Sequence, residues 1–200
     1  MTDPSSRAEE PTSRPNGVML VFAIAMGGLY CAMHLLNGWA LRAIEFSDHI
    51  SLVYLPGFIR LANVLLLGLF WGTLYTAIGG VMLLHWSHDS LFLSFCNIAT
   101  SALSPLVAVL LMRVMQHRYV ALSRLSDLIQ LAFLYALLNA LLHHWMWSWL
   151  DPSQLMTPEQ LFYMVAGDIN GVILGGLFLR WLSRKADLSR KLLTRKDDLR

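Results

Sequence analysis

The chain confines its charges to short blocks. Every residue from Leu61 to Ser87, Leu91 to Met112 and Leu128 to Leu150 is uncharged, taking histidine as neutral, and Gln160 to Leu179 holds a single acid, Asp168. About 20 apolar residues suffice to cross a hydrocarbon layer of roughly 30 Å as a helix. In such a layer a helix also satisfies its own backbone, which an open strand does not. A helix in a soluble core keeps one polar face, and these runs have none. The pattern predicts an all-α, polytopic membrane helix bundle. Only 14% of the residues are charged against 56% apolar, well below the usual quarter for soluble domains. Membrane lipids are the first expected partner, and no basic surface suggests nucleic acid.

About six transmembrane helices are expected, two of them short. The polar, Pro-rich residues 1–16 read as a disordered cytoplasmic tail, residues 17–183 as the bundle and residues 184–200 as a basic amphipathic cytoplasmic tail. The first span runs from Gly17 to about Leu41. Phe58 to Trp86 is 29 residues, about 43 Å as one helix. That is too long for one upright crossing. Gly68-Leu-Phe-Trp-Gly72 offers a break, giving short helices near 56–69 and 71–86, with one long tilted helix as the rival. Leu91–Met112, Leu128–Leu150 and Gln160–Leu182 complete the set.

Lysine and arginine set the orientation. Arg113, Arg118 and Arg124 share one link, and Arg180, Arg184, Lys185 and further basic residues follow the last span. Both places are expected in the cytoplasm, with the chain multi-pass in a bacterial inner (cytoplasmic) membrane. The link from Asp151 to Glu159 has no basic residue and is expected outside.

Asp168 is the residue whose placement most needs a reason. A charge at mid-membrane costs about 2.5–3.5 kcal/mol on insertion scales, so it faces a partner or a wet cavity. Arg60, entering from the same side at similar depth, is the expected partner. Asn63, Asn97, Asn139 and Asn170 add polar groups on the spans. Two readings follow: a polar clasp between helices, or an outward-opening pocket for a small ligand. A second set, His85, His88, His143 and His144, supplies imidazoles suited to a metal or haem. The adjacent pair points in different directions on a helix, and His–Trp mixtures also mark membrane interfaces. The chain therefore names no cofactor. Gly167, Gly171 and Gly175, at intervals of four, form a ridge for close helix approach. No paired carboxylates or Ser–His–Asp order argue for hydrolysis, and a non-enzymatic role is expected.

Several short motifs together resemble the bacterial membrane-associated sensor family, the MASE-type integral membrane domains. They are Leu55-Pro-Gly-Phe-Ile-Arg-Leu61, the polar-headed Phe95-Cys-Asn-Ile-Ala99, Leu125-Ser-Asp-Leu128 and, most specifically, Ala166-Gly-Asp-Ile-Asn-Gly-Val172. The resemblance covers about residues 50–183. It implies a signal-sensing membrane module, here standing alone without a kinase or cyclase output domain and acting through a separate protein or as a homo-oligomer. A small-molecule uptake subunit, resembling the substrate-binding component of energy-coupling transporters, is the alternative.

Overall fold

A computed structural model describes residues 17–47, 50–87, 89–120, 124–150 and 157–197. They form six α-helices: α1 (Gly17–Ala40), α2 (Leu55–Leu67), α3 (Leu69–Met82), α4 (Leu91–Gln116), α5 (Leu125–Leu150) and α6 (Pro158–Asp197). Four of these contain stretches long and apolar enough to cross a membrane: Leu20–Ala40, Leu91–Gln116, Leu125–Leu150 and Pro158–Leu182. The two short helices are α2 and α3, as the glycine break predicts. A short antiparallel pair, β1 (Glu45–Ser47) with β2 (Ile50–Ser51), lies between α1 and α2. The polar spacing of that link did not announce it.

The burial pattern is that of a membrane bundle. Large apolar side chains such as Phe70, Phe92, Val114, Trp149 and Phe162 lie on the outside, each at least two-thirds exposed. Arg60, Asn63, Thr76, Asp127, Asn139, His143 and Asp168 are buried. The helices turn their polar groups inward because only other helices can satisfy them there.

The break after α2 is a full reversal. Gly68 adopts φ +85° and ψ 169°, a conformation essentially reserved for glycine. The chain folds back so tightly that a Cβ on Gly72 would collide with the backbone of Asn63 and Val64. Asn63 Nδ2 donates to Thr76 Oγ1 at 3.1 Å across the turn. In a continuous helix those two residues would stand about 20 Å apart, so the single long helix is ruled out.

The start of α2 is set by α1 and α6. Tyr54 N–H donates to Gly167 O at 2.9 Å, and Asn37 Oδ1 accepts from Leu55 N–H at 2.9 Å. The glycine ridge of α6 makes this approach possible. A Cβ on Gly167 would strike Ser51 O, one on Gly171 would strike Tyr54 O, and one on Gly175 would enter the Phe58 ring. Gly167 lies nine residues into α6, about 14 Å along it. Helix α2 therefore begins inside the bundle, with Pro56 in its first turn, where the missing N–H costs nothing.

From that depth towards the end carrying Arg113, Arg118 and Arg124, hereafter the basic end, the interior holds an apolar cluster. Leu61, Val64, Ala108, Val109, Met112, Leu131 and Tyr135 form one buried cluster. The opposite end, where α1 meets α2 and α3 meets α4, is the mouth end. Pro105 sits within α4; Thr100 and Ser104 hydroxyls donate to Cys96 O and Thr100 O one turn back, which satisfies them within the helix. Helix α6 continues without interruption to Asp197, 40 residues in all. The expected separate tail is thus largely the same helix, because no proline or glycine follows Gly176 to end it. The expected tail 1–16 lies outside the described residues.

Candidate functional site

A cavity of about 420 Å³ occupies the mouth half of the bundle. Its floor carries Arg60 of α2, Asn139 of α5 and Asp168 of α6, its wall His34, Asn97 and His143, and its rim Glu45, Trp86 and Asp89. All six helices and the β1–β2 link contribute.

Arg60 is 4% exposed. Its Nε and Nη2 donate to the Tyr30 hydroxyl at 3.1 and 2.9 Å, and Nη2 also donates to the Tyr54 hydroxyl at 2.8 Å. The guanidinium carbon lies 5.4 Å from the centroid of the Tyr30 ring and 5.0 Å from that of Tyr54, so both rings also offer their negative faces to the charge. Nη1 makes one long contact, 3.5 Å, to Asn139 Oδ1.

Asp168 is 1% exposed. Asn139 Nδ2 donates to its Oδ2 at 2.6 Å and Tyr135 O–H to its Oδ1 at 3.4 Å. The carboxyl also sits on the first turn of α2, where a Cβ on Gly57 would come within 2.5 Å of Oδ1. The positive end of the helix dipole favours a carboxylate there. The expected Arg60–Asp168 neighbourhood is present, but with a correction. The two are not in ion-pair contact; Asn139 bridges them, accepting from Arg60 and donating to Asp168. One amide can do both because its oxygen and nitrogen face opposite ways.

The other amides divide. Asn97 lines the cavity, where its Oδ1 accepts from Trp147 Nε1 at 2.7 Å and its Nδ2 contacts Asp89 Oδ2 at 3.5 Å. Asn63 and Asn170 do not line it. Asn63 clasps the α2–α3 hairpin, and Asn170 Nδ2 donates to Leu52 O at 2.8 Å, holding α6 to the segment before α2. The amide nitrogens of both hold neighbouring segments together instead.

Among the described residues no group of three or more His, Cys, Asp or Glu side chains is gathered to hold a metal. His88 lies outside those residues. His143 is buried; its Nδ1 donates to Asn139 O at 2.8 Å and its Nε2 lies 3.4 Å from Ser101 Oγ. His144, one residue on, faces elsewhere with a buried Nδ1 that has no hydrogen-bond partner, and His85 packs edge-on against Trp86. The tyrosines are the residues that reading the sequence overlooks. Tyr30, Tyr54 and Tyr135 ring the charged pair, and His34 Nδ1 joins the ring through the Tyr54 hydroxyl at 2.9 Å.

A second arginine–aspartate pair lies at the basic end. Arg118 meets Asp127 through Nη1–Oδ2 at 2.5 Å and Nη2–Oδ1 at 2.8 Å, a direct two-pronged ion pair. The hydrogen bonds that Arg118 donates to Asp127 raise the Arg118 pKa above its ordinary value.

Comparison with family models, with curated proteins and with solved structures gives no match to this chain.

Proposed function

We propose that the protein is a membrane sensor-like module that binds a small ligand in the mouth-end cavity and signals through a separate partner. The observation that carries this reading is the combination of a buried, indirectly joined Arg60–Asp168 pair with a cavity of about 420 Å³ against it. Cavities of a few hundred Å³ with few convergent polar groups suit small molecules. A clasp serving packing alone gains nothing from an open volume beside its charges. On the positive-inside rule the basic end is cytoplasmic in a bacterial inner membrane, so ligand enters from outside. Binding that draws Arg60 or Asp168 towards a ligand shifts α2 against α6, and α6 runs on to Asp197. This makes α6 the natural lever to a partner, and the most specific of the motifs resembling MASE-type domains falls on α6. No enzymatic step is assigned.

The uptake-subunit reading has less in its favour. An apolar cluster lies beneath the floor, between the cavity and the basic end. The test is purification in mild detergent with identification of co-purified small molecules, for the wild type and for Asn97→Trp, which blocks the cavity without touching either charge. A compound retained by the wild type and lost from the variant supports the reading; identical contents in both would remove the cavity from it.

A further inference from the structure

We infer that the cavity takes an organic monocarboxylate with an apolar body, and takes it together with one proton that resides on Asp168. The inference rests on the ligand-binding reading above and specifies the ligand's chemistry.

Charge counting comes first. With Arg60 and Asp168 both ionised the floor is neutral, and they are joined only through Asn139. The groups that hydrogen-bond Arg60 are two phenols and an amide. None is a carboxylate, although guanidinium pairs best with one. Nη1, whose contact with Asn139 Oδ1 is long at 3.5 Å, is the end of the fork best placed to turn to an incoming oxygen. The Tyr30 and Tyr54 hydroxyls, both on the cavity lining, can turn to donate to that oxygen.

An anion added to a neutral floor leaves one uncompensated negative charge in a low-dielectric site, which is costly. Protonating Asp168 removes it. The carboxyl then becomes a hydrogen-bond donor while Arg60 pairs with the ligand. A doubly charged phosphate would need a second proton or cation, and Asp168 supplies only one site. The body of the ligand faces Leu35, Leu84, Ile98 and Met164 on the cavity wall, so it is apolar. At the rim, Glu45 and Asp89 repel a bare anion and favour arrival with its charge balanced.

Asp168 is faced by Arg60 from α2, Tyr135 and Asn139 from α5, and, across the floor, Tyr30 and His34 from α1, Tyr54 before α2 and His143 from α5. Because two histidines are among these groups, a pH dependence has to be assigned by substitution.

The experiment is calorimetric titration of the purified full-length protein with three probes of one shape: phenylacetate, the neutral phenylacetamide and the cationic phenethylammonium. Phenylacetate is expected to bind at least about tenfold more tightly than either other probe. Its affinity is expected to fall about tenfold per pH unit over the range in which one proton is taken up. Asp168→Asn, which mimics the protonated acid, is expected to keep binding phenylacetate with that pH dependence flattened. Equal binding of the amide, or preference for the amine, would overturn the carboxylate assignment. A pH slope that survives in Asp168→Asn would overturn the placement of the proton. Binding of the amide or amine that Asn97→Trp blocks would leave the cavity standing while the ligand class falls. Absence of binding by all three probes, with nothing co-purified, would remove both.

Discussion

The two arginine–aspartate pairs use the same chemistry to opposite ends. Arg118 and Asp127 meet directly, both prongs engaged, with Arg118 38% exposed and Asp127 2%. Arg60 and Asp168 are both buried and are joined through an amide, with a cavity alongside. A direct, partly hydrated pair is a closed arrangement that fastens the α4–α5 link. An indirect pair has unspent bonding capacity, and at membrane depth that capacity is expensive unless something uses it. Pairs of like composition are therefore told apart by what lies between the charges.

The largest effect is expected at the buried pair. Arg60→Gln leaves Asp168 without its compensating charge and should lower stability by about 3–5 kcal/mol, measured by reversible unfolding in mixed micelles. Adding Asp168→Asn to that variant should recover most of the loss, because no lone charge then remains. A double variant as unstable as the single one would show that the two groups are not coupled. Next comes the bridge. Asn139→Leu strands a donor on Arg60 and an acceptor on Asp168, each costing about 1–3 kcal/mol when buried, and should lower stability by about 2–4 kcal/mol. A change under about 1 kcal/mol would mean that the amide carries no load between the charges.

Gly171→Ala probes how the buried pair is assembled. Its methyl group would collide with Tyr54 O, pushing α6 off α2, with an expected loss of about 1–3 kcal/mol and a weakening of any cavity ligand. Unaltered stability and binding would show that α6 need not approach so closely. The smallest effect is expected at the basic end. Asp127→Asn should lower the melting temperature only slightly, and added salt should shrink the difference. The sign of the pH dependence follows from Arg118. Its folded pKa is raised, so its contribution is complete below the ordinary arginine value and is lost only as pH rises through the folded value. From about pH 6 to pH 10 the difference between wild type and Asp127→Asn should therefore be flat. A difference that changes across that window would show that Arg118 is not the group responsible.

The bundle was legible where physics acts on the chain locally. Uncharged length marks the four long spans, Gly68 marks the reversal, and the four-residue glycine spacing marks the face on which α6 meets α2. Arg60 and Asp168 could be placed at one depth because both are charges inside apolar runs. The amides were harder. Asn63, Asn97, Asn139 and Asn170 look equivalent in sequence because helices apolar on every side give little clue to their rotation. Only packing shows that Asn139 joins the charges, Asn97 lines the cavity, and the other two bind helix to helix. Tyr30, Tyr54 and Tyr135 were missed for a related reason: a tyrosine within an apolar run reads equally as core or interface. Charge marks the end of the last span at Leu182, but it says nothing about where the helix stops, and α6 runs on to Asp197.

The central claim is a solvent-accessible mouth half carrying the buried pair, above a packed apolar cluster. It is tested most directly by labelling with a membrane-impermeant thiol reagent applied from the mouth side, with Cys31 and Cys96 replaced by alanine. Ser101→Cys, on the cavity wall, should react, and Ala108→Cys, within the apolar cluster, should remain silent. Equal reactivity at the two positions, or reaction at Ala108→Cys alone, would contradict the account.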